Sequence, residues 1–364
     1  MKHIRGLDGL RAFAVLSVML YHLGWKSFSL GWAGVPFFFV LSGFLITGIL
    51  LESKGDSAGH FFRTFYIRRA LRIFPLYFLV LGLVCWWVSA NHGQFPALKY
   101  FLTYTQNYYL AATNFAWASG SEIGHTWSLA VEEQFYLLWP FAVYFLSRRT
   151  LVRTIFVMIA VAVVSRWWLE AYTKLASFAP LTSNLDSLGL GAMLAIMVRK
   201  DAAGMKRASM TMGVVGVAVI VICIAFKTGL VIKQLSAGNQ LLMAGISVAS
   251  AGIIGFTSQA NIGFLDWKPL AYIGKISYGL YVWHAPAYIF LDIFARVKWY
   301  GLDSLSPTEM VMAKLTVTFA VSMLSYHLME RPLLKLKNLI KYGVVNQSGI
   351  AELAPSSGLI ERAQ

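Results

Sequence analysis

The sequence predicts an all-α membrane protein that crosses the bilayer about ten times, with both termini in the cytoplasm. Three observations support this fold class. Hydrophobic residues make up 58% of the 364-residue chain and charged residues only 13%, whereas about a quarter of a typical soluble chain is charged. The apolar residues fall into runs of roughly 17 to 22, the length of a membrane-spanning helix. Basic residues concentrate in alternate loops between these runs.

The first apolar run follows a basic start, so a cleaved signal peptide is an alternative to a membrane anchor. We favour the anchor. Without this run nine spans would remain, the two termini would lie on opposite sides of the membrane, and the location of one terminus would contradict the positive-inside rule. The predicted spans cover residues 9–26, 33–51, 71–90, 126–146, 152–170, 184–199, 210–227, 240–257, 274–295 and 310–329.

The positions of lysine and arginine orient the chain. With a cytoplasmic N-terminus, 21 basic residues fall in the predicted inner segments and 8 in the outer ones, as the positive-inside rule requires. This pattern accounts for the net charge of +15 and excludes nucleic acid as a partner, because no basic face is interleaved with aromatic residues. Cys85 and Cys223 lie in apolar runs and predict neither a disulfide nor a metal site.

Two segments lie outside the spans. Residues 98–112 are apolar and aromatic but short, and they contain Gln106 and Asn107. We therefore predict a re-entrant or interfacial segment of the outer loop. Residues 343–364 are small and polar, which predicts a disordered cytoplasmic tail after a membrane domain of residues 1–342. We expect no fused soluble domain.

Six sequence strings occur in one order along the chain. Together they resemble the signatures of acyltransferase family 3, a family of membrane-bound O-acyltransferases. The resemblance implies transfer of an acyl group, usually acetyl, from cytoplasmic acyl-CoA to a hydroxyl of a carbohydrate or glycolipid. It also implies a bacterial cytoplasmic membrane and no permanently bound cofactor. Many members carry an acid where this chain has Pro36. The strings are IRGLDGLRAFAVLSVMLYH, GVPFFFVLSGFLITGIL, FYIRRALRIFPLY, HTWSLAVEEQFYLLWP, ISYGLYVWHAP and MERP, from residue 4 to residue 332.

Arg11 and His22 bound the first apolar run and lie on one helical face, about 16 Å apart along the axis. The resemblance makes His22 the catalytic base, and a neutral imidazole suits the removal of a hydroxyl proton near pH 7. The alternative is an interfacial histidine that reaches the headgroups. Asp8 lies one turn before Arg11, and we predict that it orients this arginine.

Arg69 and Arg72 form a pair spaced i, i+3 at the inner end of the third span. Membrane anchoring explains basic residues at this depth. Guanidinium groups also bind phosphates well, and the resemblance favours binding of acyl-CoA by Arg11, Arg69 and Arg72.

Glu132 and Glu133 lie within the fourth span, where a pair of carboxylates is costly and indicates function. We predict that one of them contacts the His22 imidazole, as carboxylates do in catalytic triads. An interhelical ion pair or a protonated glutamate is the alternative. His125 and Trp127, at the outer end of this span, are candidates for the acceptor entrance.

Ser277, Tyr281 and His284 recur at i, i+4 and i+7 on the ninth span. With Ser42 on the second span, they are candidates for a channel that holds the pantetheine arm or the acyl group. A core histidine bonded to a neighbouring hydroxyl is at least as good an interpretation of His284. Glu330 and Arg331 belong to the closing string, and we assign them a supporting role.

A secondary transporter of a sugar or organic anion is the competing function, since such proteins also use intramembrane charges. Against it, the halves of the chain show no internal repeat, and the charged residues concentrate in the first four spans. The residues therefore favour an enzyme.

Overall fold

The computed structural model describes residues 4, 6–113, 121–170, 176–226, 237–260, 262–337 and 340. These residues form helices and turns and contain no β-strand. The predicted all-α fold is confirmed, while the predicted tail of residues 343–364 lies outside the described residues. The α-helices are α1 (Leu7–His22), α2 (Gly34–Glu52), α3 (Ala58–Ala90), α4 (Leu98–Leu102), α5 (Gln106–Ala112), α6 (Trp127–Phe145), α7 (Arg148–Glu170), α8 (Leu185–Lys200), α9 (Ala202–Ala225), α10 (Ala237–Thr257), α11 (Lys268–Lys275), α12 (Ser277–Arg296), α13 (Pro307–Ser325) and α14 (Arg331–Lys337).

Seven helical segments in the described part of the chain are long and apolar enough to cross a membrane. Their outer surfaces expose large apolar side chains, such as Trp167 on α7 and Val214 on α9, as a lipid environment favours. The membrane-spanning fold class is therefore confirmed. The other three predicted spans coincide with α1, α6 and α12, which carry most of the polar candidate residues. Ten crossings and cytoplasmic termini stay predictions.

Helix α3 differs most from its predicted span. It begins at Ala58 instead of residue 71 and has 33 residues, which gives a length of about 50 Å. The additional turns contain arginines, so a search for apolar runs misses them. Phe61 and Phe65 bury these turns against the rest of the protein, and Phe61 packs against Tyr144 with ring centroids 4.9 Å apart.

The segment 98–112 does not form a spanning helix. It folds into α4 and α5, which have five and seven residues and are too short to cross a bilayer. Gln106 Nε2 donates to Tyr77 Oη at 3.2 Å and to the Thr126 carbonyl at 3.0 Å. Gln134 Nε2 donates to Asn107 Oδ1 at 2.9 Å. These bonds attach the segment to α3 and α6.

Helix α2 is central, because it packs against α1, α6, α8 and α10. Its closest approach is to α8, where two glycines face the opposite backbones. A Cβ atom on Gly43 would overlap the Leu188 carbonyl oxygen, and one on Gly191 would overlap the Val40 carbonyl oxygen. Small residues allow helices in a membrane to approach this closely. The crossing therefore positions α2 and the cavity side chains that it carries.

We expect Gly43→Ala to lower the thermal unfolding temperature of the detergent-solubilised protein. The added methyl group would force α2 and α8 apart, and such overpacking costs about 1–3 kcal/mol. Gly82→Ala is the matched control, because a Cβ atom there meets nothing within 4 Å and alanine favours a helix by up to about 1 kcal/mol. Equal unfolding temperatures for the two variants would contradict the close crossing.

Candidate functional site

A cavity of about 790 Å³ lies between α1, α2, α3, α6 and α12. This volume is within the range of small-molecule sites. Charged and hydroxyl groups line it together with apolar side chains. The polar lining consists of Asp8, Arg11, Ser42, Glu52, Arg68, Arg69, Arg72, Ser128, Glu132, Tyr136, Ser277, Tyr278 and Tyr281. Eight of these are sequence-predicted site residues, namely Asp8, Arg11, Ser42, Arg69, Arg72, Glu132, Ser277 and Tyr281.

Arginines from two helices meet in this cavity. Arg11 Nη1 donates to Asp8 Oδ1 at 2.6 Å, so Asp8 contacts Arg11 as predicted. The Arg69 guanidinium lies over the Tyr136 ring, 5.1 Å from its centroid. Arg72 lies close enough to Arg11 and Arg69 for their charges to repel. Such a cluster attracts an anion with several negative charges.

A carboxylate and two hydroxyl groups form a second cluster in the cavity. Glu132 lines the cavity together with Ser42 and Tyr136, and the Ser42 and Tyr136 hydroxyl groups contact each other. Ser128, Glu132 and Tyr136 are spaced i, i+4 and i+8, so one face of α6 points into the cavity. Glu133 points elsewhere, and its Oε1 atom is buried without a hydrogen-bond partner among the described residues.

Three histidines meet beside the cavity, although none of them lines it. His22 Nδ1 lies 3.1 Å from His284 Nε2, and the His284 ring lies 4.6 Å from the His125 ring, centroid to centroid. His284 Nδ1 and His125 Nε2 both contact the Tyr281 carbonyl oxygen, at 2.7 and 2.8 Å. His284 is completely buried, whereas His22 ends α1 with an exposed side chain. We call His22, His125 and His284 the histidine cluster.

Tyr281 lies between the cavity and the histidine cluster. Its side chain lines the cavity, while its carbonyl oxygen binds His125 and His284. The Tyr281 hydroxyl donates to the His125 carbonyl at 2.8 Å, and Ser128 Oγ lies 2.6 Å from the same hydroxyl. The Ser128–Tyr281 contact therefore joins α6 to α12 in the cavity wall.

The predicted contact between a glutamate and His22 is wrong. The side chain that hydrogen-bonds to His22 is His284, while Glu132 lines the cavity with Ser42 and Tyr136. The prediction assumed that similar membrane depth brings two groups together. In the fold, α12 packs beside α1 and brings His284 to that position.

The remaining predicted residues lie outside the cavity lining. Trp127 packs between Phe39 and Phe178, with ring centroids 6.2 and 5.1 Å away. Glu330 is buried in a π-helical turn and accepts from Ser325 Oγ at 3.3 Å. Arg331 is exposed.

Sequence reasoning missed Glu52, Arg68, Ser128, Tyr136 and Tyr278 as cavity residues. Ser128 and Tyr136 could have been found, because each lies one helical turn from Glu132 on the same face. Tyr278 gave no such signal. Its hydroxyl donates to the Ile73 carbonyl at 2.6 Å, a contact that only the packing of α12 on α3 creates.

Comparison with known proteins gives a family match over most of the chain. The family model described as an acyltransferase domain matches residues 4–327. The Bacillus subtilis protein YrhL, inferred to be a peptidoglycan O-acetyltransferase, is 29% identical over 91% of this chain. The O-acetyltransferase OatA of Staphylococcus aureus is 28% identical and the peptidoglycan O-acetyltransferase OatA of Listeria monocytogenes is 27% identical, each over 92% of this chain.

The chain spans only part of these relatives, covering 55% of YrhL, 58% of the Staphylococcus protein and 56% of the Listeria protein. No solved structure matches the chain.

We expect a cysteine in the cavity to react with a small anionic methanethiosulfonate. In a Cys85→Ser/Cys223→Ser background, Ser277→Cys should react at least about tenfold faster than Ser250→Cys. Both serines are buried, but only Ser277 lines the cavity, where the arginines attract the reagent. Thiol modification followed by mass spectrometry measures the two rates. Similar rates would show that the cavity is closed to anions.

Proposed function

The chain belongs to the acyltransferase family whose model matches residues 4–327, and on this premise we propose that it is an integral-membrane O-acyltransferase. It moves an acyl group, usually acetyl, from cytoplasmic acyl-CoA to a hydroxyl of a sugar-containing acceptor. The activities that its relatives are named for make a cell-wall polysaccharide such as peptidoglycan the preferred acceptor. The bacterial cytoplasmic membrane is the compartment where donor and acceptor can meet.

The observation that carries the proposal is the arginine-lined cavity beside the histidine cluster. One end offers guanidinium groups from Arg11, Arg69 and Arg72, which suit the phosphates of a CoA ester. The other end stops at Tyr281, whose carbonyl holds two of the histidines. Arg11 and His22 are about 16 Å apart along α1, a distance comparable to an extended pantetheine arm.

In the proposed reaction, the phosphates of acyl-CoA dock on the arginines and the pantetheine arm lies in the cavity. Ser42, Glu132 and Tyr136 border the arm, and the Ser42 and Tyr136 hydroxyl groups contact each other. The thioester reaches the histidine cluster when the hydrogen bond between Ser128 and Tyr281 opens.

The acceptor approaches His22 from the exposed side of its ring. His22 takes the hydroxyl proton while the hydroxyl oxygen attacks the thioester carbonyl carbon. The carbon–sulfur bond breaks, the new ester leaves on the acceptor, and the CoA thiolate receives the proton from His22. Atoms and charge balance without a metal or a redox partner.

Replacing Arg72 with glutamine should weaken the binding of acetyl-CoA about tenfold or more, because a charge-assisted hydrogen bond to phosphate contributes about 1.5–3 kcal/mol. Titration calorimetry on the purified protein in detergent measures the dissociation constant. Arg149→Gln is the control, because Arg149 is exposed at the start of α7 and does not line the cavity. An unchanged dissociation constant for Arg72→Gln would remove this arginine from the donor site.

His22→Gln should lower acceptor-dependent release of CoA at least about 100-fold, the usual contribution of a general base, without weakening the binding of acetyl-CoA. A thiol-reactive dye records CoA release, and mass spectrometry records the ester on the acceptor. His60→Gln is the control, since His60 is exposed at the start of α3. Full activity of His22→Gln would exclude His22 as the base. Counterflow of the sugar without CoA release would identify a carrier instead.

A further inference from the structure

His22 has an unusual partner for a catalytic base. The imidazole at 3.1 Å belongs to His284, so the group that orients His22 is a second histidine and not a carboxylate. Both oxygens of a carboxylate can accept a hydrogen bond from the His22 imidazole. A neutral imidazole can accept one through only one of its two nitrogens. Whether His284 can orient His22 therefore depends on which of the two ring nitrogens of His284 carries the proton.

The Tyr281 carbonyl determines that position. A carbonyl oxygen has no hydrogen to donate, so His284 Nδ1, at 2.7 Å, must carry a proton and donate it. His125 Nε2 donates to the same oxygen at 2.8 Å. His284 is completely buried, and burial without an ion-pair partner favours the uncharged ring. A neutral His284 that is protonated on Nδ1 carries a lone pair on Nε2.

This lone pair faces Nδ1 of His22. We infer that His284 is a positioning residue, which accepts the Nδ1 proton of His22 and so leaves Nε2 of His22 unprotonated and free to act as the base. The inference rests on the proposed function, because it assigns the reacting atom of the proposed base. The chain of donors runs from His22 Nδ1 to His284 Nε2 and from His284 Nδ1 to the Tyr281 carbonyl.

The reverse arrangement is less favourable. If His284 donated from Nε2, it would carry protons on both nitrogens, since Nδ1 already donates to Tyr281. That state is a cation buried next to two other imidazoles, and no carboxylate lies within 4 Å of it among the described residues. The uncharged arrangement avoids this cost. After His22 takes up a proton on Nε2, its Nδ1–H still donates to His284, so the hydrogen bond persists through the reaction.

The test measures tautomers directly, independently of turnover. The chain has seven histidines, so the ¹⁵N-histidine spectrum of the full protein in nanodiscs can be assigned by difference with His22→Gln. We expect His22 in the Nδ1–H form in the wild type. His284→Phe should shift His22 to the Nε2–H form that imidazole prefers in water. His284→Gln should retain Nδ1–H, because an amide oxygen can accept the same proton.

The kinetic readout separates positioning from structural support. His284→Phe should lower kcat about 10- to 100-fold, the range for removal of a group that orients a histidine ligand, with an unchanged KM for acetyl-CoA. His284→Gln should recover most of that loss. His327→Phe is the matched control, because His327 is exposed and bonds to Tyr272 outside the cavity. Wild-type and control activities should agree.

An Nε2–H or doubly protonated His22 in the wild type would overturn the inference, whatever the activity. Equal kcat for His284→Phe and the wild type would overturn it as well. If His284→Phe does not fold, the inference depends on the wild-type tautomer and on His284→Gln, which preserves the size and polarity of the side chain. A chain with the expected tautomers but no thioester cleavage would overturn the proposed function and leave the hydrogen-bond assignment in place.

Discussion

The backbone carbonyl of Tyr281 is the acceptor on which the histidine cluster depends. It binds both His284 and His125, while the side chain of the same residue lines the cavity and contacts Ser128. One turn of α12 therefore connects the two parts of the site.

The second constraint is the cost of charge inside a membrane protein. Arg166 shows how the fold satisfies a structural arginine, since it is buried and donates to Asp186 at 2.8 Å, to the Ser183 carbonyl at 2.6 Å and to Gln240 at 3.0 Å. The cavity arginines differ. Arg69 lies against an aromatic ring and Arg72 lies beside other cations. Acidic side chains also lie near these arginines, since Asp8 bonds to Arg11 and Glu132 shares the cavity with Arg69 and Arg72.

Much of the fold and more than half of the candidate site could be predicted from the sequence. Apolar runs located the long helices, because a bilayer requires about 20 apolar residues per crossing. They failed at the start of α3, where aromatic packing stabilises turns that carry arginines. Helical spacing placed Arg69 and Arg72 on one face, and the cavity contains both. Spacing alone did not show that Glu133 points away from it.

The sequence by itself determined which groups are available on which helix, because side-chain direction repeats with the helical period. The sequence assigned Arg11 and His22 to α1, Glu132 to α6, and Tyr281 and His284 to α12. Only the tertiary structure decided which of these groups meet. His284 and not Glu132 reached His22, since partners across helices depend on helix order, rotation and closeness of packing. These quantities arise from contacts such as Gly43 on Leu188, which join positions far apart in the chain.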